Sequence, residues 1–100
     1  MDAVLIKPAT QTIDVIKVDS KDEIATLIGY ETVIAETIGT NGDHLFFDEE
    51  CFLRGTEGRF QIDKLIPVSG VGVVIGVQKD DALADFQSDL EDLKSRIKFL

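Results

Sequence analysis

Two short runs rich in Val and Ile lie near the start of the chain. Residues 3–7 (AVLIK) and 12–18 (TIDVIKV) are separated by residues 8–11 (PATQ). β-Branched residues favour strands, and a connection of this length that contains proline is typical of a hairpin. The pattern predicts a strand, a turn and a second strand.

The next segment has the signals of a short amphipathic helix. Ser20 and Glu23 form a capping box, in which the Ser20 hydroxyl accepts the Glu23 backbone N–H and the Glu23 carboxylate accepts the Ser20 N–H. Apolar residues follow at helical spacing, at Ile24, Leu27 and Ile28. Gly29 is a typical left-handed stop. We therefore expect a short helix that packs on a sheet.

The middle of the chain alternates between strand-like runs and turns. Strands are predicted at residues 31–38, 44–47, 51–53 and 59–63. Turns are predicted at residues 39–42, 48–50, 55–58 and 67–70. Residues 71–77 (VGVVIGV) are apolar at nearly every position. Such a run is typical of a central strand that is covered on both faces.

The last segment predicts a second helix. Ser88 and Glu91 form another capping box, and bases follow towards the end of the segment, as a helix dipole prefers. Apolar residues recur at spacings of three, four and three, at Leu90, Leu93, Ile97 and Leu100. A stripe of under two heptads is too short for a coiled coil, so we expect it to pack on the sheet of the same domain.

Together these elements predict one α+β domain over residues 1–100. Its architecture would be a mainly antiparallel sheet, with a short helix in the N-terminal half and a C-terminal amphipathic helix packed on it. A chain of 100 residues has room for one modest core and no second domain. Exposed edge strands leave a homo-oligomer open.

Charge narrows the classes of partner. The chain has 19 Asp and Glu against 10 Lys and Arg, for a formal net charge of -9. It lacks the Lys/Arg clusters that contact phosphates or anionic lipids, so we expect no direct nucleic-acid binding and no membrane binding. Cys51 is the only cysteine, and the N-terminus lacks the pattern of a signal peptide. These features predict a cytoplasmic protein.

The negative charge is concentrated in the first half of the chain. Between Asp22 and Leu53 there are eight acidic residues and no Lys or Arg. The eight are Asp22, Glu23, Glu31, Glu36, Asp43, Asp48, Glu49 and Glu50. If they share a surface, it would attract a basic protein surface. The alternative is that they only keep a small domain soluble.

Candidate chemistry is sparse. The glycines of residues 70–76 lie within an apolar run and miss the spacing of a dinucleotide fingerprint by one position, which favours a structural role. His44 is the only histidine, and the acids near it lack the EF-hand pattern, so no metal site is predicted. No catalytic residue and no cofactor is predicted either. A small-molecule site would be indicated by a pocket in which four residues converge: His44, Cys51, Arg54 and Arg59.

Several stretches of the chain resemble an uncharacterised family of small proteins. They are residues 42–50 (GDHLFFDEE), 60–62 (FQI), 70–76 (GVGVVIG) and 90–100 (LEDLKSRIKFL), with residues 6–18 and the corner at 27–30 (LIGY) also similar. The family is catalogued as domain of unknown function 3846, and its members are commonly carried by phages, plasmids and other mobile elements. The resemblance implies a small accessory gene on mobile DNA and carries over no functional residue.

Two hypotheses about function follow. The first is a non-enzymatic cytoplasmic interaction module, encoded on a mobile element, whose acidic half contacts a basic protein surface. The alternative is a small-molecule-binding protein or minor enzyme with a pocket at a sheet–helix or subunit junction. A shared acidic surface would favour the first hypothesis, and a converging pocket would favour the second.

Overall fold

The computed structural model describes all residues from 1 to 100 and contains nine strands and two α-helices. In chain order the elements are β1 (Asp2–Lys7), β2 (Thr12–Lys17), α1 (Lys21–Ile28), β3 (Val33–Thr37), β4 (Asp43–Asp48), a 3₁₀ turn (Cys51–Leu53), β5 (Arg59–Ile62), β6 (Val68–Ser69), β7 (Gly72–Val77), β8 (Leu83–Ala84), α2 (Leu90–Arg96) and β9 (Ile97–Phe99). Every strand pairing is antiparallel, which confirms the predicted fold class. Neither helix has the length and apolar character needed to cross a bilayer.

Strand β7 lies at the centre of the larger of two sheets. The order of that sheet is β2-β1-β7-β4-β3, and β8 pairs with the far end of β7. Residues 72–76 are all buried. Val73 and Ile75 point to one face of the sheet and Val74 to the other, as the pleat of a strand requires. The predicted central strand, covered on both faces, is confirmed.

Helix α1 covers one of these faces. Its Ile24 and Ile28 are buried there, together with Leu5 of β1, Phe46 of β4 and Val73 of β7. Leu27, the third residue of the predicted apolar stripe, is 38% exposed. The helix therefore contacts the sheet along a narrow stripe.

The caps of α1 follow the sequence signals with one shift. The Ser20 hydroxyl accepts the Glu23 N–H at 3.2 Å, and Gly29 ends the helix in the left-handed conformation at φ 91°. The Glu23 carboxylate, however, accepts the N–H of Asp19 at 3.2 Å. The return bond of the predicted capping box is thus displaced by one residue from Ser20.

A second sheet covers the opposite face of the larger sheet. It consists of β6, β5 and β9 in that order. Phe60 and Ile62 of β5, Leu93 of α2 and Ile97 of β9 form its buried side. They pack against residues of three strands of the larger sheet: Val4, Ile6, Leu45, Phe47 and Val74. The molecule therefore has three layers, and the sequence predicted neither the second sheet nor the short strands β6 and β8.

The end of the chain differs from the prediction. The helix stops at Arg96, residues Ile97–Phe99 pair with β5 as a strand, and Leu100 is 60% exposed. The four apolar residues of this segment therefore do not form one helical stripe. In an extended chain both Ile97 and Phe99 reach the core, and the edge of β5 replaces the hydrogen bonds of another helical turn.

Two local predictions are also wrong. Cys51–Leu53 form a 3₁₀ turn rather than a strand, because the Leu53 N–H bonds the Glu50 carbonyl at 2.9 Å and closes the chain on itself. Asp89 rather than Ser88 caps α2, and its carboxylate accepts the Asp92 N–H at 3.1 Å. Ser88 is engaged by a carboxylate from another part of the chain.

That carboxylate belongs to Asp43, the first residue of β4. Asp43 is 0% exposed and accepts three hydrogen bonds: from the Gln87 N–H at 2.7 Å, the Ser88 N–H at 2.8 Å and the Ser88 hydroxyl at 2.6 Å. A buried carboxylate is tolerated where protein donors replace the water it has lost. Asp43 thereby holds the segment before α2 against the end of the larger sheet.

Replacement of this anchor should destabilise the protein. We expect Asp43→Ala to lower the free energy of unfolding by about 2 kcal/mol or more, because it leaves the donors of Gln87 and Ser88 without their acceptor. The matched control is Glu36→Ala, which removes an exposed carboxylate from the neighbouring strand and should change stability by no more than about 0.5 kcal/mol. Urea unfolding followed by circular dichroism measures both. Equal effects of the two substitutions would contradict the anchoring role.

Candidate functional site

A cavity of about 250 Å³ opens at one end of the larger sheet. It lies where the β1–β2 turn, the end of α1, the end of β4 and the start of β7 come together. Apolar side chains such as Ile28 and Val71 line it beside polar ones such as Lys7, Thr10 and Ser69. The cavity is therefore lined by segments that are far apart in the sequence.

The floor of the cavity consists of one residue from each of three neighbouring chain segments: Lys7, Val71 and Asp48. The paired residues end at Ile6–Gly72 and at Phe46–Val73. Continued by one or two residues, these registers place Lys7, Val71 and Asp48 in one row, on the face of the sheet that α1 covers. Since neighbouring strands are about 4.8 Å apart, the backbones of Lys7 and Asp48 lie roughly 10 Å from each other across Val71. The floor is therefore apolar in the middle and polar at both sides.

The walls come from loops on either side of the floor. Ile28 and Tyr30 form one wall at the end of α1, and Thr56 and Ser69 form part of another. The hydroxyl oxygens of Thr56 and Ser69 are 3.0 Å apart, and the Ser69 hydroxyl also lies 3.2 Å from the Thr56 carbonyl oxygen. These contacts hold the two hydroxyl groups side by side.

A close backbone contact joins two of the surrounding loops. Gly58 has φ +81°, and a Cβ atom added there would lie 2.6 Å from both the carbonyl carbon of Pro8 and the nitrogen of Ala9. Only a residue without a side chain permits this approach in this conformation. The β1–β2 turn and the loop before β5 are therefore in direct contact beside the cavity.

Asp48 is 3% exposed and is surrounded by donors. Its carboxylate accepts hydrogen bonds from the Thr32 hydroxyl, from the Glu50 N–H at 3.0 Å and from Arg54 Nε at 3.0 Å. Burial raises the pKa of Asp48, but these hydrogen bonds and the charge of Arg54 together outweigh burial and hold the pKa below its ordinary value. Asp48 is therefore an ionised structural anchor at neutral pH.

Arg54 connects this carboxylate to the wall of the cavity. Its guanidinium carbon lies 4.3 Å from the centroid of the Tyr30 ring, a cation–π contact. Arg54 Nη2 also donates to the Thr32 hydroxyl at 3.1 Å and to the Glu50 carboxylate at 3.3 Å. The hydrogen bond to Asp48 raises the pKa of Arg54, and the charges of Asp48 and Glu50 add to this. Tyr30 is thereby held in place by a charge network behind it.

Cys51 lines the cavity, whereas His44 does not. The Cys51 sulfur is buried and accepts the Ser69 N–H at 3.5 Å. His44 lies near the opposite end of β4, where its Nδ1 is 3.0 Å from the Gly42 carbonyl oxygen. The six residues of β4 are extended and span roughly 20 Å, so most of the strand separates the two side chains.

The two arginines of the predicted pocket also lie outside the cavity lining. Arg54 is in the network behind Tyr30, and Arg59 lies on β5, with its guanidinium carbon 5.3 Å from the centroid of the Phe52 ring. Of the four residues whose convergence would indicate a small-molecule site, only Cys51 lines the cavity. Sequence reasoning missed Lys7, Tyr30, Thr56 and Ser69, because their approach depends on strand order; the only local signal was Gly58 in a predicted turn.

The eight acidic residues do not form one surface. Asp43 and Asp48 are buried and serve as internal hydrogen-bond acceptors, and Glu50 is paired with Arg54. Glu36 is exposed, but it pairs with Leu45 and belongs to the face of the larger sheet opposite α1. The exposed acids on or near α1 are Asp22, Glu23, Glu31 and Glu49. A shared acidic surface, one of the two alternatives left open by the sequence, would therefore include only about half of the eight residues.

The chain is thus an α+β domain with a central antiparallel sheet and a mixed polar and apolar cavity at one end of it. No family model, no curated protein and no solved structure matches the chain. The resemblance to domain of unknown function 3846 stays a prediction. No group of three or more His, Cys, Asp or Glu side chains is arranged to hold a metal ion.

The lowered pKa of Asp48 predicts a specific loss of stability in acid. Its ionised form stabilises the folded protein above the unfolded pKa near 3.8, and this contribution is lost as the pH falls through the lower folded pKa. Between about pH 5 and about pH 2, the parent protein should therefore lose more stability than Asp48→Asn. Urea unfolding at several pH values measures the difference.

Asp22→Asn, which changes an exposed carboxylate of α1, is the control. Its free energy of unfolding should fall with pH as steeply as that of the parent protein. Asp63 titrates in the same window, because its hydrogen bonds with Arg96 lower its pKa, and it is present in all three proteins. If the free energy of unfolding of Asp48→Asn fell as steeply in acid as that of the parent protein, the loss of stability could not be assigned to Asp48.

Substitutions of two glycines distinguish the energetic cost of a steric contact from the cost of a strained backbone conformation. Gly55→Ala and Gly58→Ala both place a side chain at positive φ, which costs about 1 kcal/mol. Gly55 has nothing within 4 Å of an added Cβ, whereas Gly58 meets the backbone of Pro8 and Ala9. We expect Gly58→Ala to cost a further 1 to 3 kcal/mol or so, as overpacking does. Equal unfolding midpoints of the two variants would show that the loops yield freely.

Proposed function

We propose that this protein binds a small organic ligand in the cavity at the end of the larger sheet. The observation that carries the proposal is the convergence of apolar and polar side chains around about 250 Å³ of open space. Ligand sites typically combine apolar walls with a few fixed polar groups. Here Ile28 and Val71 supply apolar surface, and Lys7 supplies a cation. The paired hydroxyls of Thr56 and Ser69 add hydrogen-bonding groups.

The size of the cavity favours a small metabolite over a large cofactor. Ligand pockets commonly measure roughly 300 to 1,000 Å³, and this cavity, at about 250 Å³, lies just below that range. Such a volume accommodates a single ring or a short branched chain with one or two polar substituents. The rest of a dinucleotide would extend into solvent.

The walls are held in place before any ligand arrives. Arg54 fixes Tyr30 through the cation–π contact, and Asp48 fixes Arg54 through its hydrogen bond. The contact of Gly58 with Pro8 holds the opposite loops together. A site that is ordered in advance loses little conformational entropy on binding, so even a small ligand can gain useful affinity.

The cavity is lined by a thiol and several hydroxyl groups but by no histidine. The Cys51 sulfur accepts a hydrogen bond from the Ser69 N–H, and the only histidine lies towards the other end of β4. No imidazole is therefore placed to remove a proton from a thiol or a hydroxyl group in the cavity. Lys7 and the hydroxyl groups would instead orient a bound molecule.

The interaction with a basic partner that the acids suggest stays a prediction. One observation favours it, since Asp22 and Glu31 border the same shallow depression along α1. Two of the other acids are consumed inside the fold as anchors, which weakens the attraction expected from all eight. A role on a mobile genetic element likewise stays a prediction from the family resemblance.

Thermal unfolding in the presence of amino acids, organic acids, sugars and nucleosides tests the ligand proposal. A ligand present at about 100 times its dissociation constant stabilises the folded state by about 2.7 kcal/mol. For a domain of this size the unfolding midpoint should rise by roughly 10 °C or more. The same ligand should slow the reaction of Cys51, the single thiol of the chain, with a soluble thiol reagent, because Cys51 lines the cavity.

Two matched substitutions locate the binding. Val71→Phe fills the floor of the cavity and should abolish both the midpoint shift and the protection of Cys51. Val15→Phe adds the same ring at an exposed position of β2 and should leave both effects intact. The proposal fails if no member of the panel stabilises the parent protein, or if the shift and the protection both survive in a folded Val71→Phe variant.

A further inference from the structure

The outer side of the second sheet carries basic and apolar side chains next to one another. Phe60 and Ile62 face the core, so their neighbours Arg59 and Gln61 face outward. Gln61 lies directly opposite Lys98 of β9, which therefore points the same way. Arg59 and Lys98 are exposed, whereas Gln61 is half-buried and its side-chain amide donates to the Leu65 carbonyl at 2.8 Å.

Two apolar residues border these polar ones. The Leu100 N–H donates to the Arg59 carbonyl at 2.9 Å, which places Leu100 beside Arg59 across the two strands. The guanidinium of Arg59 lies over the ring of Phe52 at 5.3 Å. We call this set the basic–apolar face: Phe52, Arg59, Gln61, Lys98 and Leu100.

The apolar members of the basic–apolar face are unusually accessible. Phe52 is 50% exposed and Leu100 is 60% exposed, and Leu53 beside Phe52 is 82% exposed. Isolated exposed apolar residues are ordinary, but neighbouring ones that share a face mark contact surfaces. An aromatic ring and an arginine in contact are also the residue types that contribute most to protein interfaces.

The cations of this face have no partner within the molecule. None of the ion pairs of the structure includes Arg59 or Lys98. The acid at the end of β5, Asp63, is occupied by Arg96 through contacts of 2.6 to 3.1 Å. Glu57, two residues before Arg59, lines the ligand cavity instead. The positive charge is therefore available on a protein whose formal net charge is -9.

We propose that the basic–apolar face docks an acidic protein segment that carries an apolar side chain between its carboxylates. The apolar side chain would contact Phe52 and Leu100, and the carboxylates would pair with Arg59 and Lys98. Arg59 can hold a carboxylate through two parallel hydrogen bonds while its guanidinium stays stacked on Phe52. The partner is opposite in charge to the one expected from the acids of the chain, and the proposal does not depend on the ligand cavity.

Charge complementarity decides among the other occupants. A second copy that used the same face would bring Arg59 and Lys98 near their own equivalents, which costs free energy. An anionic bilayer would gain little from only two cations, and the acids elsewhere on the chain would oppose its approach. A peptide segment offers its carboxylates locally and avoids that opposition beyond a Debye length of about 8 Å.

Fluorescence anisotropy with synthetic peptides tests the proposal on the full chain. One labelled peptide has Glu and Leu interspersed with Gly and Ser, and a second has Lys in place of every Glu. We expect the acidic peptide to bind, the basic peptide to bind at least tenfold more weakly, and the affinity for the acidic peptide to fall as salt is added. Vesicles of phosphatidylcholine and phosphatidylserine in equal parts form a third arm and should not bind.

Charge-reversal variants place the peptide on the basic–apolar face. Arg59→Glu and Lys98→Glu should each weaken binding of the acidic peptide roughly tenfold, and Leu100→Ser should also weaken it. Lys79→Glu, which makes the same change of net charge in the exposed turn between β7 and β8, is the control and should bind like the parent. Circular dichroism confirms that each variant is folded.

Three results of the peptide measurements would overturn the proposal. They are equal binding of the acidic and basic peptides, parental affinity in folded Arg59→Glu and Lys98→Glu, and equal losses in those variants and in Lys79→Glu. Binding of the vesicles without binding of the acidic peptide would also overturn it, because the face would then contact a membrane surface.

Discussion

A strand that is apolar at every position can be stable only if both of its faces are removed from water, and β7 imposes this requirement on the whole molecule. Val73 and Ile75 need cover on one side and Val74 needs it on the other. One short helix supplies the first cover, and a second sheet with α2 supplies the other. Each buried apolar side chain of this size contributes on the order of 2 kcal/mol, so a three-layer arrangement is the means by which a chain of 100 residues obtains sufficient stability.

The charged side chains are divided between the interior and the surface of the protein. Asp43 and Asp48 sit at the two ends of β4, and each holds a distant segment in place through hydrogen bonds. From the sequence these two carboxylates would be expected on the surface. In the structure they are buried hydrogen-bond acceptors, and they hold the segment before α2 and the residues beside the cavity in place. Two of the cations that form no ion pair, Arg59 and Lys98, lie on the outer side of the second sheet, where they adjoin exposed apolar groups.

Sequence patterns predicted the structure correctly where the interacting residues are close together in the chain. The Ser20 cap, the Gly29 stop and the apolar run of β7 were readable because the residues that form them are neighbours in the chain. The strand at Ile97–Phe99 was not readable, because its hydrogen bonds come from the edge of β5 and override a helical pattern of apolar residues. The cavity could not be predicted from the sequence for the same reason. Lys7, Val71 and Asp48 come together only because β7 lies between β1 and β4 in the sheet.

The position of β1 has a consequence for how the protein is made. Its partner on one side, β2, follows it at once in the chain, whereas its partner on the other side is β7. During synthesis the apolar edge of the first hairpin therefore stays unpaired until residues 72–77 have left the ribosome. An open edge of this kind is where nascent chains adhere to one another. The order of the strands therefore leaves this edge open until β7 has been synthesised, and the second sheet is completed later still, when β9 follows.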